Sequence, residues 1–394
     1  MLLGERWRFI VYALLGVALS PVLMSVARLR KHAARGGTGG ARVLVIPIMT
    51  RVGDLVCATT VFRALKLQYP KCRLSVLAAK NAAGIIRNNP RIDELIVMNN
   101  PPFKGVLGRG RLFWFLYQQR FDACVALANN PFGNLATLAS AAPVRIKTTV
   151  SERTLAEKLT DWWNTSRVNY EHGSFLQAHY VHLLAMLGVP FSSPIKEVFV
   201  KKEGERHADA FLRTHALHDT PLVVGITVTA GNRVKEWPLE RFAELADRMV
   251  VQNNARVVFI DSERNIDIVT RVISMMAHGS SAVAATEFTL EELPSLIKRL
   301  HLFVAVDTGS IYIAHALGIP LVDIIGPVEP NEQPPKDEKS IQVLPPPPHA
   351  PSSFVIKRPG QESARRAAAR AISVDAVYDA FADLMKRRAQ KSTI

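Results

Sequence analysis

Cysteine is scarce in this chain: three residues, Cys57, Cys72 and Cys124, among 394. They are odd in number, lie far apart, and form neither a C-x-x-C pair nor a Cys/His metal spacing. That pattern excludes a disulfide-stapled secreted module and a zinc ribbon, and it is read as reduced, cytosolic thiols acting as small hydrophobes. Phosphate-loop signatures are missing too. No G-x-x-x-x-G-K-[ST] occurs, and no G-x-G-x-x-G follows any strand-like run. Helix-turn-helix, zinc-finger and RNA-binding-sheet signatures are absent, which leaves nucleic acid the weakest of the anionic partners. No short-period repeat is visible.

Acidic residues are in deficit, 34 against 49 Lys and Arg, for a net charge of +15. The excess is uneven: from Arg51 to Lys147 there are 14 basic and 4 acidic residues. A basic body of this kind favours anionic partners such as a phosphorylated substrate or an anionic membrane surface. The length suggests two or three domains, and a hydrophobic fraction of 48% is ample for full cores.

Residues 9–27 (FIVYALLGVALSPVLMSVA) carry no charge and come close to the ~20 apolar residues that span a bilayer. Arg6 and Arg8 precede them; Arg28, Arg30, Lys31, Arg35 and Arg42 follow. The basic cluster directly after the run argues against a cleaved signal and places the C-terminal bulk in the cytoplasm. Pro21 leaves open a kinked segment that dips into one leaflet. The expectation is a retained anchor, single-pass or monotopic, at the inner membrane, with Gly36–Gly40 as a flexible linker.

From residue 41 strand and helix patterns alternate. Strand-like runs fall at 43–46, 73–78, 94–98 and 121–127, separated by helical stretches near 81–88 and 111–119. Residues 148–190 read as mostly helical, and Pro190 and Pro194 punctuate the chain. A second alternation has strands at 222–226, 256–260, 301–306 and 320–325 and helices at 238–250, 290–300 and 311–317. The expected organisation is an anchor and linker (1–40), two doubly wound Rossmann-like domains (41–192 and 193–345), and a Pro-rich segment with a basic helical tail (346–394).

Four loops follow the carboxyl ends of these strands, where open α/β sheets bind ligands. Thr50-Arg51-Val52-Gly53-Asp54 ends the first strand; Gly53 suits a tight turn, and Asp54 either caps the next helix or presents a carboxylate to a cleft. Lys235-Glu236-Trp237-Pro238 opens a helix: Pro fits the first turn, Trp237 staples it, and Lys235 adds charge to the positive dipole end. Asp261-Ser262-Glu263 offers carboxylates for ribose hydroxyls or ordinary caps. Asp307-Thr308-Gly309-Ser310 combines an acid, hydroxyls and a glycine at a helix start, a set suited to a diphosphate.

Together, Arg51-x-Gly53-Asp54, Lys235-x-Trp237-Pro238 and Asp307-Thr308-Gly309, with the phrases RALKLQYP, WPLERFAELADRM, AVDTGSIYIAHALGIP and IIGPVEP, resemble the ADP-heptose:lipopolysaccharide heptosyltransferases, glycosyltransferase family 9. The likeness runs over about residues 42–330. It implies a GT-B fold, two Rossmann-like domains facing across a cleft, and inverting, metal-independent transfer from an ADP-sugar with no cofactor. It further implies Asp54 as general base, Lys235 as the cation meeting the departing phosphates, Thr229, Glu263, Asp307, Thr308, Gly309 and Ser310 around the donor, and Arg51 and Gly53 near the acceptor. The implied partners are a nucleotide-sugar donor, an anionic lipid-linked glycan and a membrane. Where the family has His three residues after the glycine, this chain has Tyr312, with His315 one turn on. Two other expectations stand beside this one: a nucleotide-sugar epimerase or hydrolase on the same frame, and a non-catalytic scaffold binding nucleotide sugar or glycolipid.

Overall fold

In the computed structural model the chain divides into two compact units, Met1–Ala83 with Asn89–Ile195, and Gly84–Asn88 with Lys196–Ile394. The structure describes residues 3–33, 40–128, 130–153, 155–355 and 365–391. The Gly-rich linker expected at 36–40 therefore lies outside the described residues except for Gly40.

The first unit opens with helix α1 (Leu3–Ala33) and continues β1 (Arg42–Ile46), α2 (Val52–Gln68), β2 (Arg73–Ala79), β3 (Glu94–Met98), α3 (Gly105–Gln118), β4 (Ala123–Ala126), α4 (Pro131–Ala139), β5 (Val144–Thr149), α5 (Leu155–Asp161), β6 (Ser166–Asn169) and α6 (Leu176–Leu183). The strands form one sheet in the order β3-β2-β1-β4-β5-β6, every neighbour parallel. Val43, Leu44, Val45 and Ile46 are all buried, as a strand covered on both faces requires. The order reverses between β1 and β4, the switch point where doubly wound sheets open a crevice at their carboxyl edge.

Two local expectations are corrected. The segment 81–88 holds only a short 3₁₀ turn, Ala83–Ile86. The stretch 148–190 is not mostly helical, since it contains the end of β5 and all of β6. Those strands escape an apolar pattern because β5 buries two cations. Lys147 Nζ meets Asp161 Oδ1 at 2.6 Å, Arg153 takes the other Asp161 oxygen, and Arg145 donates to the Trp163 and Ala142 carbonyls. Burial still holds the Lys147 ammonium below its ordinary pKa, with Asp161 opposing that shift.

The expected membrane span is also corrected. Among the described residues no helix is long and apolar enough to cross a membrane. The apolar run belongs to α1, which has Pro21 within it and spends one face on the unit behind it. Gly16, Ser20 and Ala27 are buried on that face, and Leu23 and Met24 pack on a cluster of Leu135, Leu138 and Trp163.

The second unit repeats the plan with α7 (Lys202–Thr214), β7 (Val223–Thr227), α8 (Leu239–Asn253), β8 (Arg256–Ile260), α9 (Ile266–Met275), β9 (Ala282–Ala285), α10 (Leu293–Ile297), β10 (Leu302–Val306), α11 (Gly309–Ala316), β11 (Leu321–Ile324), β12 (Ser340–Val343), α12 (Arg365–Ala371) and α13 (Val374–Lys391). Its all-parallel sheet runs β12-β11-β10-β7-β8-β9, the same order of connection, with the switch point between β7 and β10. Helix α13 is part of the core: Val377, Tyr378, Phe381 and Leu384 are buried with residues of α8, β8 and β11.

Candidate functional site

In the first unit, Asp54 sits at the carboxyl edge of β1, beside the switch point. Arg51 is the N-cap of α2 and makes no side-chain capping bond, and Asp54 is the third residue of the helix rather than its cap. A carboxylate in the first turn is favoured by the helix dipole. Its side chain is 3% exposed and lies 3.7 Å from the Arg51 guanidinium, itself 55% exposed. Gly53 is a helical residue, so the tight turn expected there is a helix start instead. Helix α6 brings Tyr180 to this place. Its phenol is wholly buried, makes no hydrogen bond, and is pushed well above its ordinary pKa by burial and, next, by the Asp54 carboxylate. The helical run at 175–187 contained Tyr180, but no local signal marked it.

In the second unit Lys235 and the Asp307–Ser310 loop meet at the switch point, while Thr229 and Glu263 stand toward β8. Lys235 ends a 3₁₀ turn, Arg233–Lys235, after β7, and Asp307 follows β10. The Lys235 ammonium is ion-paired with Asp307 Oδ2 and lies 3.4 Å from the Asp307 carbonyl oxygen. Asp307 is 3% exposed and Lys235 22%, so the cation keeps one side open to solvent. Tyr312, one turn into α11, donates its hydroxyl to Asp307 Oδ1 at 2.5 Å. Lys196 Nζ stands 5.7 Å from the centroid of the Tyr312 ring.

Thr308 is the N-cap of α11 without using its side chain as a cap, and Gly309 is the first helical residue. The Ser310 hydroxyl is buried and makes no hydrogen bond. Backbone N–H groups of a helix start, two hydroxyls and a nearby ammonium form a set that receives phosphate oxygens.

Trp237 anchors the Lys235 turn as expected. It is buried, stacks edge-to-face on Phe242 with centroids 5.0 Å apart, and donates Nε1–H to the Ile372 carbonyl at 2.9 Å. Pro238 caps α8 from just outside it. Thr229 donates to Asp261 Oδ2 at 2.7 Å, and Asn265 Nδ2 reaches both Thr229 Oγ1 and Asp261 Oδ1. Asp261 is thus spent tying two loops together, while Glu263 stays exposed at the carboxyl end of β8. A cavity of about 630 Å³ opens beside this turn, lined by Thr229, Arg233, Trp237 and Arg271 among others.

His315 does not join the group. Its Nε2 lies 3.0 Å from Asp337 Oδ2, and burial keeps the imidazole below its ordinary pKa. The Asp337 carboxyl is held far below the usual carboxylate range, first by that hydrogen bond; a neutral imidazole N–H suffices as the donor.

Asp323 was missed from the sequence. It lies in β11 beside Ala305, two residues before Asp307, fully buried, with both carboxyl oxygens making no hydrogen bond. Burial first, and the Asp307 charge next, raise its pKa well above the ordinary value, against the pull of Lys235 and Lys196. An acid inside the strand run LVDI was the available signal. Among the described residues no three His, Cys, Asp or Glu side chains are grouped as metal ligands.

Comparison with known proteins gives consistent results. The family model for glycosyltransferase family 9 (heptosyltransferase) matches residues 109–357. The lipopolysaccharide core heptosyltransferase OpsX of Haemophilus influenzae is 24% identical over 292 residues, covering 73% of this chain and 80% of that protein. Among solved structures, a family 9 glycosyltransferase from Veillonella parvula superposes with a TM-score of 0.72 at 21% identity, over 89% of this chain and 98% of that one. The E. coli ADP-heptose lps heptosyltransferase II gives 0.69 at 20% identity, over 88% and 99%. The pair of parallel α/β sheets is the fold of these proteins.

Proposed function

The chain belongs to glycosyltransferase family 9, the heptosyltransferases, and is a glycosyltransferase; from that premise we propose that it moves heptose from ADP-heptose onto a lipopolysaccharide-core or other lipid-linked glycan. The transfer inverts the anomeric centre, uses no metal ion, and takes place at the cytoplasmic face of the inner membrane. The names of the similar proteins, OpsX and the E. coli enzyme, support the donor and the acceptor class.

The observation that carries the reading is the Lys235–Asp307 pair at the switch point of the second sheet. Departure of ADP leaves new negative charge on a diphosphate. A partly exposed ammonium, held in place by a buried carboxylate, meets that charge without reorganising. Thr308, Gly309 and Ser310 receive the phosphate oxygens, and Thr229 and Glu263 lie toward the nucleoside. Asp54 takes the proton of the acceptor hydroxyl as its oxygen bonds to the anomeric carbon, and the carbon–oxygen bond to the diphosphate breaks with its electron pair leaving on ADP. Arg51 and Gly53 border the acceptor.

The test is incubation of the purified protein with ADP-heptose and membrane glycolipid, read by mass spectrometry and ADP release. The expected product carries one added heptose, and Asp54→Asn abolishes transfer while ADP binding stays within about two-fold, since its carboxylate acts on the acceptor. ADP release in the absence of acceptor at the same rate, or normal turnover by Asp54→Asn, overturns the assignment.

A further inference from the structure

Among the described side chains, helix α1 has one apolar face packed on the first unit and a further set of apolar residues left exposed. Positions 16, 20, 23, 24 and 27 follow helical spacing and turn toward the first unit. Outside that face Leu14, Val17, Leu19, Val22 and Leu29 are each between 46% and 71% exposed. A contiguous stripe of this kind marks an interaction surface. It runs about 24 Å along the helix axis at 1.5 Å per residue.

Helix α3 extends it. Arg30 stacks over the Tyr117 ring at 4.8 Å and donates to the Tyr117 and Ser140 carbonyls, and Phe113 shares a cluster with Leu23 and Met24, so α1 and α3 are neighbours. Trp114 stacks on Tyr117 and is 60% exposed. Leu107, Arg111 and Trp114, spaced i, i+4, i+7, share one exposed face of α3.

From Arg6 onward along α1, and along the whole of α3, every charged residue is basic. No acidic residue occurs between Arg6 and Arg51, nor between Glu94 and Asp122, while Arg28, Lys104 and Arg111 are exposed. A second copy of the chain would bring the same positive charges to the contact and be repelled. An anionic bilayer offers an apolar interior for the stripe, an interface for Trp114 and phosphate for the arginines.

We propose that the outer faces of α1 and α3 form a monotopic membrane-docking surface, with α1 lying in the plane of an anionic leaflet. This deepens the functional reading above by naming the surface that would bring the enzyme to a lipid-linked acceptor, and it is tested without donor or acceptor. Failure of sugar transfer and failure of docking are therefore separate results.

The experiment is co-sedimentation of the full chain with phosphatidylcholine vesicles, plain or containing about 30% phosphatidylglycerol, a composition that sets a negative surface potential. The wild type is expected on the anionic vesicles. The combined variant Leu19→Ser, Val22→Ser, Leu29→Ser, Trp114→Ser should lose at least about ten-fold in partitioning with an unchanged circular dichroism spectrum. Arg28→Glu with Arg111→Glu should weaken binding to anionic vesicles alone, and so keeps the test valid if the apolar variant misfolds. Vesicle binding of the folded apolar variant equal to wild type overturns the proposal. So does absence of wild-type binding, including the case where sedimentation equilibrium shows the face closed by a second copy.

Discussion

Tyr312 and Lys235 hold the two oxygens of one buried carboxylate, Asp307: the phenol donates to Oδ1 and the ammonium pairs with Oδ2. Both contacts fix the direction in which Asp307 faces, and with it the position of the ammonium. Lys235→Met leaves that carboxylate buried without its cation, a change that costs several kcal/mol where the site is closed and less here, because Lys235 is partly exposed.

Tyr312→Phe removes one hydrogen bond to a charged acceptor and no volume. Stability should fall by about 1–2 kcal/mol, and kcat by roughly ten-fold with a smaller change in KM, because a loosened Lys235 serves the leaving group less well. A kcat equal to wild type in steady-state assays would show that Lys235 alone orients the pair.

Asp323 should behave as a buried neutral acid. Burial, with the Asp307 charge next, raises its folded pKa well above the ordinary value, so above that ordinary value the folded chain holds on to a proton that the unfolded chain releases. The unfolded state then binds fewer protons, and stability falls as pH rises above about 4. Asp323→Asn mimics the protonated acid and is expected to raise Tm at pH 7 to 8, with the gap closing toward pH 4. A lower Tm for the variant across that range would mean the carboxylate is ionised in the fold.

His179 gives a pH response of the opposite sign. Burial, with His182 next, lowers its pKa to about 4, and its ring lies edge-on to Tyr170 at 5.2 Å. Between pH 6.5 and about 4 the unfolded chain takes a proton that the folded one refuses, so stability drops as pH falls through that window. The loss should be on the order of 2 kcal/mol, and His179→Gln should remove it from urea denaturation curves recorded at pH 4.5 and 7.

Gly16 is where α1 touches the body of the first unit. A Cβ built there would stand 2.3 Å from a Trp163 ring carbon. Gly16→Leu should therefore push the helix off its seat at a cost of about 1–3 kcal/mol. Faster amide exchange in α1, with the exchange of β1 and β2 unchanged, is the expected readout.

The sequence by itself determined the strands that are apolar along their whole length, because a parallel strand buried on both faces must be written in Val, Ile and Leu. It also marked the loops after β1, β7, β8 and β10, since ligand-binding residues follow strand ends and bring Gly, Pro and short polar side chains with them. Only the tertiary structure decided the elements whose burial is bought by distant partners. β5 reads as polar until Asp161 pairs with Lys147 and the Trp163 and Ala142 carbonyls accept the Arg145 guanidinium's hydrogen bonds. Asp323 and Tyr180 acquire their shifted acidity first from burial and next from the charges of Asp307 and Asp54, which folding brings beside them. The run at 9–27 shows the same limit, for hydropathy counts how many apolar residues a helix has and not which of them face protein. In α1 the described residues of each turn are divided between contact with the first unit and exposure, and that division is a property of packing alone.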